Sequence, residues 1–216
     1  MHVNSQAVHP FDPDKFLGVG IGIPDENRPN QRHVGIIYQA DQSGPRICHL
    51  AWHCILKDEP LPASYHWGYS GLDDVNKVVM AAYVALLKQN ARSVPYGISY
   101  IPEHYFDEQG RYIVQPVGYG LTCATFILAV FARNGFELLQ TMHWPNRPDD
   151  AEWQQQILDA LAGRATPEHI EVARQDVGAK RFRPEEVAAG VISEFIPLDF
   201  PTAEKTASEI LRDIYE

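Results

Sequence analysis

Leu121-Thr122-Cys123-Ala124-Thr125-Phe126 places a cysteine where a glycine-bearing turn becomes an apolar helix. Gly118-Tyr119-Gly120 is a flexible approach, and Phe126, Ile127, Val130 and Phe131 recur at helical spacing from Thr122 to Asn134 before Gly135 ends the segment. A thiol in the first turn of such a helix meets unpaired backbone N–H groups and the positive end of the helix dipole. Both favour its thiolate, so the thiol is expected to titrate below the ordinary value of about 8.5. The same N–H groups are suited to a developing oxyanion. The competing reading is a buried structural cysteine, because free cysteine is among the most buried residue types.

Working outward from this helix, the upstream chain reads as sheet. Phe16 to Ile23 alternates apolar residues with glycine, as in a strand approached closely by another backbone. Its Gly-x-Gly pattern is not a nucleotide loop, because Pro24-Asp25-Glu26-Asn27 follows where a helix and a phosphate-binding lysine would be needed. Arg32 to Gln39 is a β-branched and aromatic strand, Asp41 to Pro45 a turn cluster, and Arg46 to His53 a second strand, which together predict a hairpin. Antiparallel pairing would bring His33 and His49 to one end of the sheet. Period-two alternation puts Cys48, Leu50 and Trp52 on one face and Ile47, His49, Ala51 and His53 on the other.

Asp58 to Ser70 reads as a proline- and aromatic-bearing loop. Leu72 to Asn90 reads as a helix, with Val75, Val78, Val79, Ala82, Tyr83, Leu86 and Leu87 as its apolar positions and Asp73 and Asp74 in its first turn. Pro95 to Tyr100 is a short extended piece, and Tyr105 to Gln115 a small hairpin or surface excursion. Beyond the cysteine helix, Glu152 to Leu161, Pro167 to Arg174, Pro184 to Ile192 and Thr202 to Ile214 carry helical patterning.

The 216 residues are 45% hydrophobic, enough for one sizeable core. Eighteen basic against 28 acidic side chains give a net charge of −10 with no basic block, which excludes nucleic acid as an expected partner. No signal peptide or membrane-spanning run is visible, so stable membrane insertion is not expected. Three cysteines point to a reducing compartment, and the expected location is cytoplasmic. Cys48, His49, His53 and Cys54 invite a zinc reading, but their spacing is not that of standard sites and Cys48 and His49 point to opposite strand faces. Neither a metal nor a cofactor is expected.

A cysteine nucleophile needs a base, and the base needs a group that holds its ring. His33, His49, His53, His66, His104 and His143 are all candidates, and composition does not choose among them.

His33-Val34-Gly35-Ile36-Ile37-Tyr38, followed by a turn and Ile47-Cys48-His49-Leu50-Ala51, resembles the histidine strand and following strand of NlpC-type papain-like cysteine peptidases. The Cys123 segment is similar to the family's cysteine helix, with a phenylalanine three residues after the nucleophile, and Pro95-Tyr96-Gly97 resembles the proline-tyrosine element before that helix. Here His33 precedes Cys123 by ninety residues, whereas most members place cysteine first. That order resembles the circularly permuted branch, which includes lecithin:retinol acyltransferase-like proteins. The resemblance covers Phe16 to Phe136. Two departures bear on substrate: Thr122-Cys123-Ala124 lacks the family's Asp-Cys-Ser, and Thr125 replaces its glycine, so cell-wall specificity is not carried over. The membrane anchor and asparagine-cysteine-glutamate signature of the retinol acyltransferases are also missing from this sequence.

The resemblance implies an α+β, permuted papain-like fold: a small antiparallel sheet packed against the cysteine helix, with a catalytic core over residues 1–140 and a helical extension over 141–216 packed on it as one compact unit. It implies Cys123 as nucleophile, His33 as general base and His49 as the residue that orients it, with the Cys123 N–H and Tyr96 as oxyanion donors. His53 competes with His49, and packing is the alternative role for Tyr96. The expected activity is a thiol hydrolase, peptidase or amidase, working on a peptide, amide or acyl-ester substrate through an acyl-enzyme. Two alternatives stand beside it. One is a non-enzymatic binding module on a degenerate scaffold, which would seat a protein partner or a second copy on the C-terminal helices; the other is an acyltransferase using the same site.

Overall fold

Among the described residues, six antiparallel strands and six α-helices give an α+β architecture. The computed structural model describes residues 2–23, 31–39, 41, 44–102 and 104–216. Pro24 to Asn27, on which the rejection of a nucleotide loop rested, and part of the Asp41 to Pro45 turn lie outside the described residues.

The strands are β1 (Asn4–Ser5), β2 (Leu17–Gly22), β3 (His33–Tyr38), β4 (Arg46–Trp52), β5 (Ile55–Pro60) and β6 (His66–Tyr69), in the sheet order β1-β6-β2-β3-β4-β5. β3 and β4 form the expected hairpin, with Ile36 opposite Cys48 and Ile37 opposite Ile47. β5 and β6 fall within or against Asp58 to Ser70, which reads as a loop in sequence. Lys57, Asp58, Glu59 and Pro60 are types depleted in strands, and β5 forms nonetheless because it is an edge strand zipped onto β4 through the tight His53-Cys54 connection. β6 lies between β1 and β2.

Side-chain alternation splits the sheet into two faces. Val19, Ile21, Val34, Ile36, Cys48 and Leu50 enter the main core, and Ile37, Ile47 and Trp67 pack with Phe11 on the opposite face. The glycines of β2 belong to this second face. A Cβ on Gly18 would lie 2.7 Å from the Phe11 ring, and one on Gly20 would lie 3.2 Å from the Tyr65 ring. The expected close backbone is there at Gly18, whose Cβ would stand 2.5 Å from the Gly68 carbonyl oxygen of β6, and side chains crowd the rest of the row, with Ile47 2.8 Å from a Gly20 Cβ.

The helices are α1 (Asp74–Asn90), α2 (Cys123–Arg133), α3 (Pro148–Ala160), α4 (Pro167–Arg174), α5 (Pro184–Ile192) and α6 (Phe200–Tyr215). α1 forms where its sequence predicts, and of the expected apolar positions only Tyr83 and Leu87 join its buried face. Met80, Ala81, Tyr83, Val84 and Leu87 are buried, whereas Val75 is 73% exposed and Val78, Val79 and Leu86 also face solvent. The helix is apolar on two neighbouring stripes, and the one carrying the larger Met80 side chain fills the core.

α2 is buried on every residue from Cys123 to Phe131, so it is the central helix rather than an amphipathic surface one. It packs against β3, β4 and α5. Gly135 closes it at φ 85°, a conformation that favours glycine. α5 lies directly on β2, β3 and β6, and the core runs without a break from Val3 to Ile210. Residues 141–216 thus supply part of the layer covering the sheet.

Candidate active site

Cys123 is the first residue of α2, and its position is fixed by a capping box. Thr122 Oγ1 accepts from the Thr125 N–H at 3.1 Å, and Thr125 Oγ1 accepts from the Thr122 N–H at 2.7 Å. Thr125 therefore has a structural role at the position where the resembled peptidases carry glycine. The approach to the helix is fixed just as tightly. Leu121 N–H donates to the Pro95 carbonyl at 2.9 Å, and the Pro95-Tyr96-Gly97 and Gly120-Leu121 backbones run so close that a Cβ on Gly97 would stand 2.5 Å from the Gly120 nitrogen. This contact sets Tyr96 beside Cys123.

The two strand histidines meet. Extending the β3–β4 register places His49 opposite Gly35, two residues from His33 on the same face. A Gly35 Cβ would lie 2.8 Å from the His49 Cβ, so the glycine leaves room for the imidazole to lie over β3. His33 Nε2 and His49 Nδ1 are 2.6 Å apart, and His49 Nε2 lies 3.1 Å from Glu59 Oε1 on β5. A carboxylate accepts only, so His49 Nε2 carries the proton and donates to Glu59. His49 Nδ1 is then the acceptor, and His33 Nε2–H the donor. His33 is left with a bare Nδ1, the nitrogen able to take a proton.

The β3–β4 ladder is paired over Ile36 to Tyr38 only, so its His33 and Trp52 ends part. There a cavity of about 160 Å3 opens, with His33, Trp52, Cys123, Tyr96 and Arg181 among its lining residues. Cys123 and His33 line the same cavity, and the Val34 N–H acts on the thiol from β3.

Burial dominates the electrostatics. It pushes the Cys123 thiol up to about 11, against the N–H groups of Val34 and Ala124 and the charge of Arg181. The expectation of a thiol lowered by the helix start is thus overturned, because loss of water outweighs the few oriented N–H groups. Burial also pushes His33 down to about 3, with the neighbouring charges of His49 and Lys57 acting in the same direction. His49 is lowered by burial and partly restored by Glu59. Near neutral pH the resting site holds a neutral thiol and neutral imidazoles.

Tyr96 is buried, and that burial keeps its hydroxyl protonated well beyond the ordinary tyrosine range. Its backbone is clamped by two further histidines. His53 Nδ1 accepts from the Tyr96 N–H at 3.2 Å, and His169 Nε2–H donates to the Tyr96 carbonyl at 2.8 Å. His53 therefore holds Tyr96 and does not compete for His33. Cys48 lies in the core, away from the His33 pair, and no group of three metal-ligating side chains occurs among the described residues.

Glu59, Arg181 and His169 were not among the sequence candidates. Glu59 was legible in principle: strand alternation continued through Ile55 to Pro60 puts it on the His49 face, with Lys57 opposite His49. Nothing in the local sequence marks Arg181, which lines the cavity from 58 residues beyond Cys123, or His169, which holds Tyr96 from 46 residues beyond it, because only the folding back of the C-terminal segments brings them there.

No helix among the described residues is long and apolar enough to cross a membrane. No family model matches the chain, and no curated protein and no solved structure is detectably similar to it.

Proposed function

We propose that this chain is a thiol hydrolase that cleaves an amide or ester bond through an acyl-enzyme, on a permuted papain-like scaffold. The observation that carries the reading is the Glu59–His49–His33 chain, which leaves Nδ1 as the proton-accepting nitrogen of a histidine that lines one cavity with a cysteine at a helix N-terminus. In the proposed reaction His33 Nδ1 takes the thiol proton as Cys123 attacks the acyl carbonyl. The Cys123 N–H holds the oxyanion, and the protonated His33 delivers its proton to the departing amine or alcohol. Water then attacks the thioester with His33 as base, and the thiol is restored. Glu59, through His49, steadies the imidazolium formed in each half. The order of base strand before cysteine helix supports the permuted relationship, since geometry and role define such sites rather than chain order.

One observation favours the alternative of a binding module on the same scaffold: burial holds the thiol near 11 and His33 near 3, so no ion pair is preformed. Acyl transfer differs from hydrolysis only in the acceptor. A thiol-directed acyl probe separates the enzyme from the binding module. Selective acylation of Cys123 over the exposed Cys54 and the buried Cys48, lost in His33→Gln, supports the enzyme, and equal labelling of Cys123 and Cys54 overturns it.

A further inference from the structure

Building on the thiol-hydrolase reading, we propose that Arg181 forms an anion subsite in the Cys123 cavity, and that the substrate carries a carboxylate a few atoms from the carbonyl under attack. Arg181 and Arg32 both line this cavity. Arg32 is already engaged, because Glu185 holds it through two 2.8 Å hydrogen bonds. Arg181 is different. Its carboxylate neighbour, Asp150, accepts from Arg147 Nε at 2.9 Å and from Arg183 Nη2 at 3.1 Å, and reaches Arg181 Nη1 only at 3.4 Å.

The guanidinium is also held in place. Its central carbon lies 3.7 Å from the centre of the Trp153 ring, and the Arg181 carbonyl accepts from Arg147 Nη2 at 2.8 Å. Stacking occupies a face of the guanidinium and leaves its in-plane N–H donors available for a bidentate acceptor. The side chain is only 12% exposed, so the charge acts in a medium that screens it weakly. Arginine stays charged even when buried.

Alkylation of Cys123 tests this without a known substrate. Iodoacetate and iodoacetamide both form a C–S bond by displacing iodide, and differ in charge. Peptide mass spectrometry gives the rate at Cys123 for each reagent, and exposed Cys54 in the same molecule gives the intrinsic ratio. The normalised iodoacetate-to-iodoacetamide ratio at Cys123 is expected to be about tenfold in low salt. It should fall to near one in Arg181→Gln, stay raised in Arg181→Lys, and shrink several-fold in wild type at high salt, an arm that needs no variant to fold. N-acetylalanine and N-acetylglutamate α-amide, as protectants against iodoacetamide, distinguish a terminal carboxylate from an acidic side chain; protection by either in wild type and by neither in Arg181→Gln supports the subsite. Reaction with iodoacetamide but a normalised ratio near one overturns the subsite and leaves the nucleophile standing. Inertness of Cys123 to both reagents overturns the nucleophile, and the subsite falls with it.

Discussion

Lowering the pH through the histidine range should destabilise this fold, and most of one variant's rescue should come from His33. Burial takes His33 from an ordinary 6.5 down to about 3 in the folded chain. Between those values the unfolded chain binds a proton that the folded chain refuses, so stability falls as pH falls through 6.5 and levels off near 3. At pH 4.5 the unfolded side chain sits about two pH units below its pKa, at about 1.4 kcal/mol per unit, which gives a loss of about 2–3 kcal/mol relative to pH 7. His33→Gln keeps a donor for His49 Nδ1 and cannot titrate. Urea unfolding at pH 7 and 4.5 should therefore show a wild-type loss larger than the variant's by about 2 kcal/mol. His49, His53 and His66 are also lowered by burial and shift both proteins in the same direction, so the difference isolates His33. Equal losses in the two proteins would refute the neutral, buried imidazole on which the proton assignment rests.

Four further outcomes follow from the same geometry. Glu59→Gln removes the carboxylate that fixes the His49 tautomer, and should slow acylation of Cys123 by about tenfold or more while changing the melting temperature little, since Glu59 is on an edge strand and 39% exposed. Cys123→Ala should abolish turnover of any acyl substrate found, with folding retained by circular dichroism and a cooperative melt. Gly35→Ala forces a Cβ to within 2.8 Å of the His49 Cβ and 2.7 Å of the Ile47 side chain, and should cost about 1–3 kcal/mol in urea melts and slow acylation by displacing His49. Thr125→Ala removes half of the capping box and should cost about 1 kcal/mol, read as a lower melting temperature.

The sequence carried the elements whose side chains alternate or recur cleanly. The β3–β4 hairpin and the α2 start were legible because β-branched residues, a turn cluster and a Thr-capped apolar run are each local signals. So were α4 and α5, which open on proline, whereas α3 and α6 begin at Pro148 and Phe200, ahead of the Glu152 and Thr202 at which their periodicity starts. β5 was not, because Lys57, Asp58 and Glu59 owe their extended form to pairing with β4, a tertiary effect. Which stripe of α1 faces inward was not legible for a related reason: helical periodicity reports that apolar stripes exist, and only the shape of the core selects between two of them. Burial was the quantity that local sequence left open between an activated and a structural cysteine. Cys123 was expected to be activated by the helix start, and the surrounding Leu121, Phe126 and Val34 remove the water on which that expectation silently depended.

That reversal constrains how the proposed chemistry runs. With burial raising the thiol and lowering the imidazole, no ion pair is preformed, and the proposed route is general base catalysis, with transfer to His33 Nδ1 concerted with bond formation to the carbonyl. What makes this transfer tolerable is compensation at both ends. The negative charge moves from sulfur to the carbonyl oxygen, where the Cys123 N–H can receive it. The positive charge on His33 is stabilised through His49 by Glu59, whose partial exposure makes it a modest contributor. An anionic substrate held by Arg181 changes this balance, since it neutralises the cation that favours the thiolate. Carboxylate-bearing substrates should then depend more steeply on the Glu59–His49 chain than neutral ones. A comparison of Glu59→Gln with both alkylating reagents reads that dependence, and a larger rate loss for iodoacetamide than for iodoacetate would contradict it.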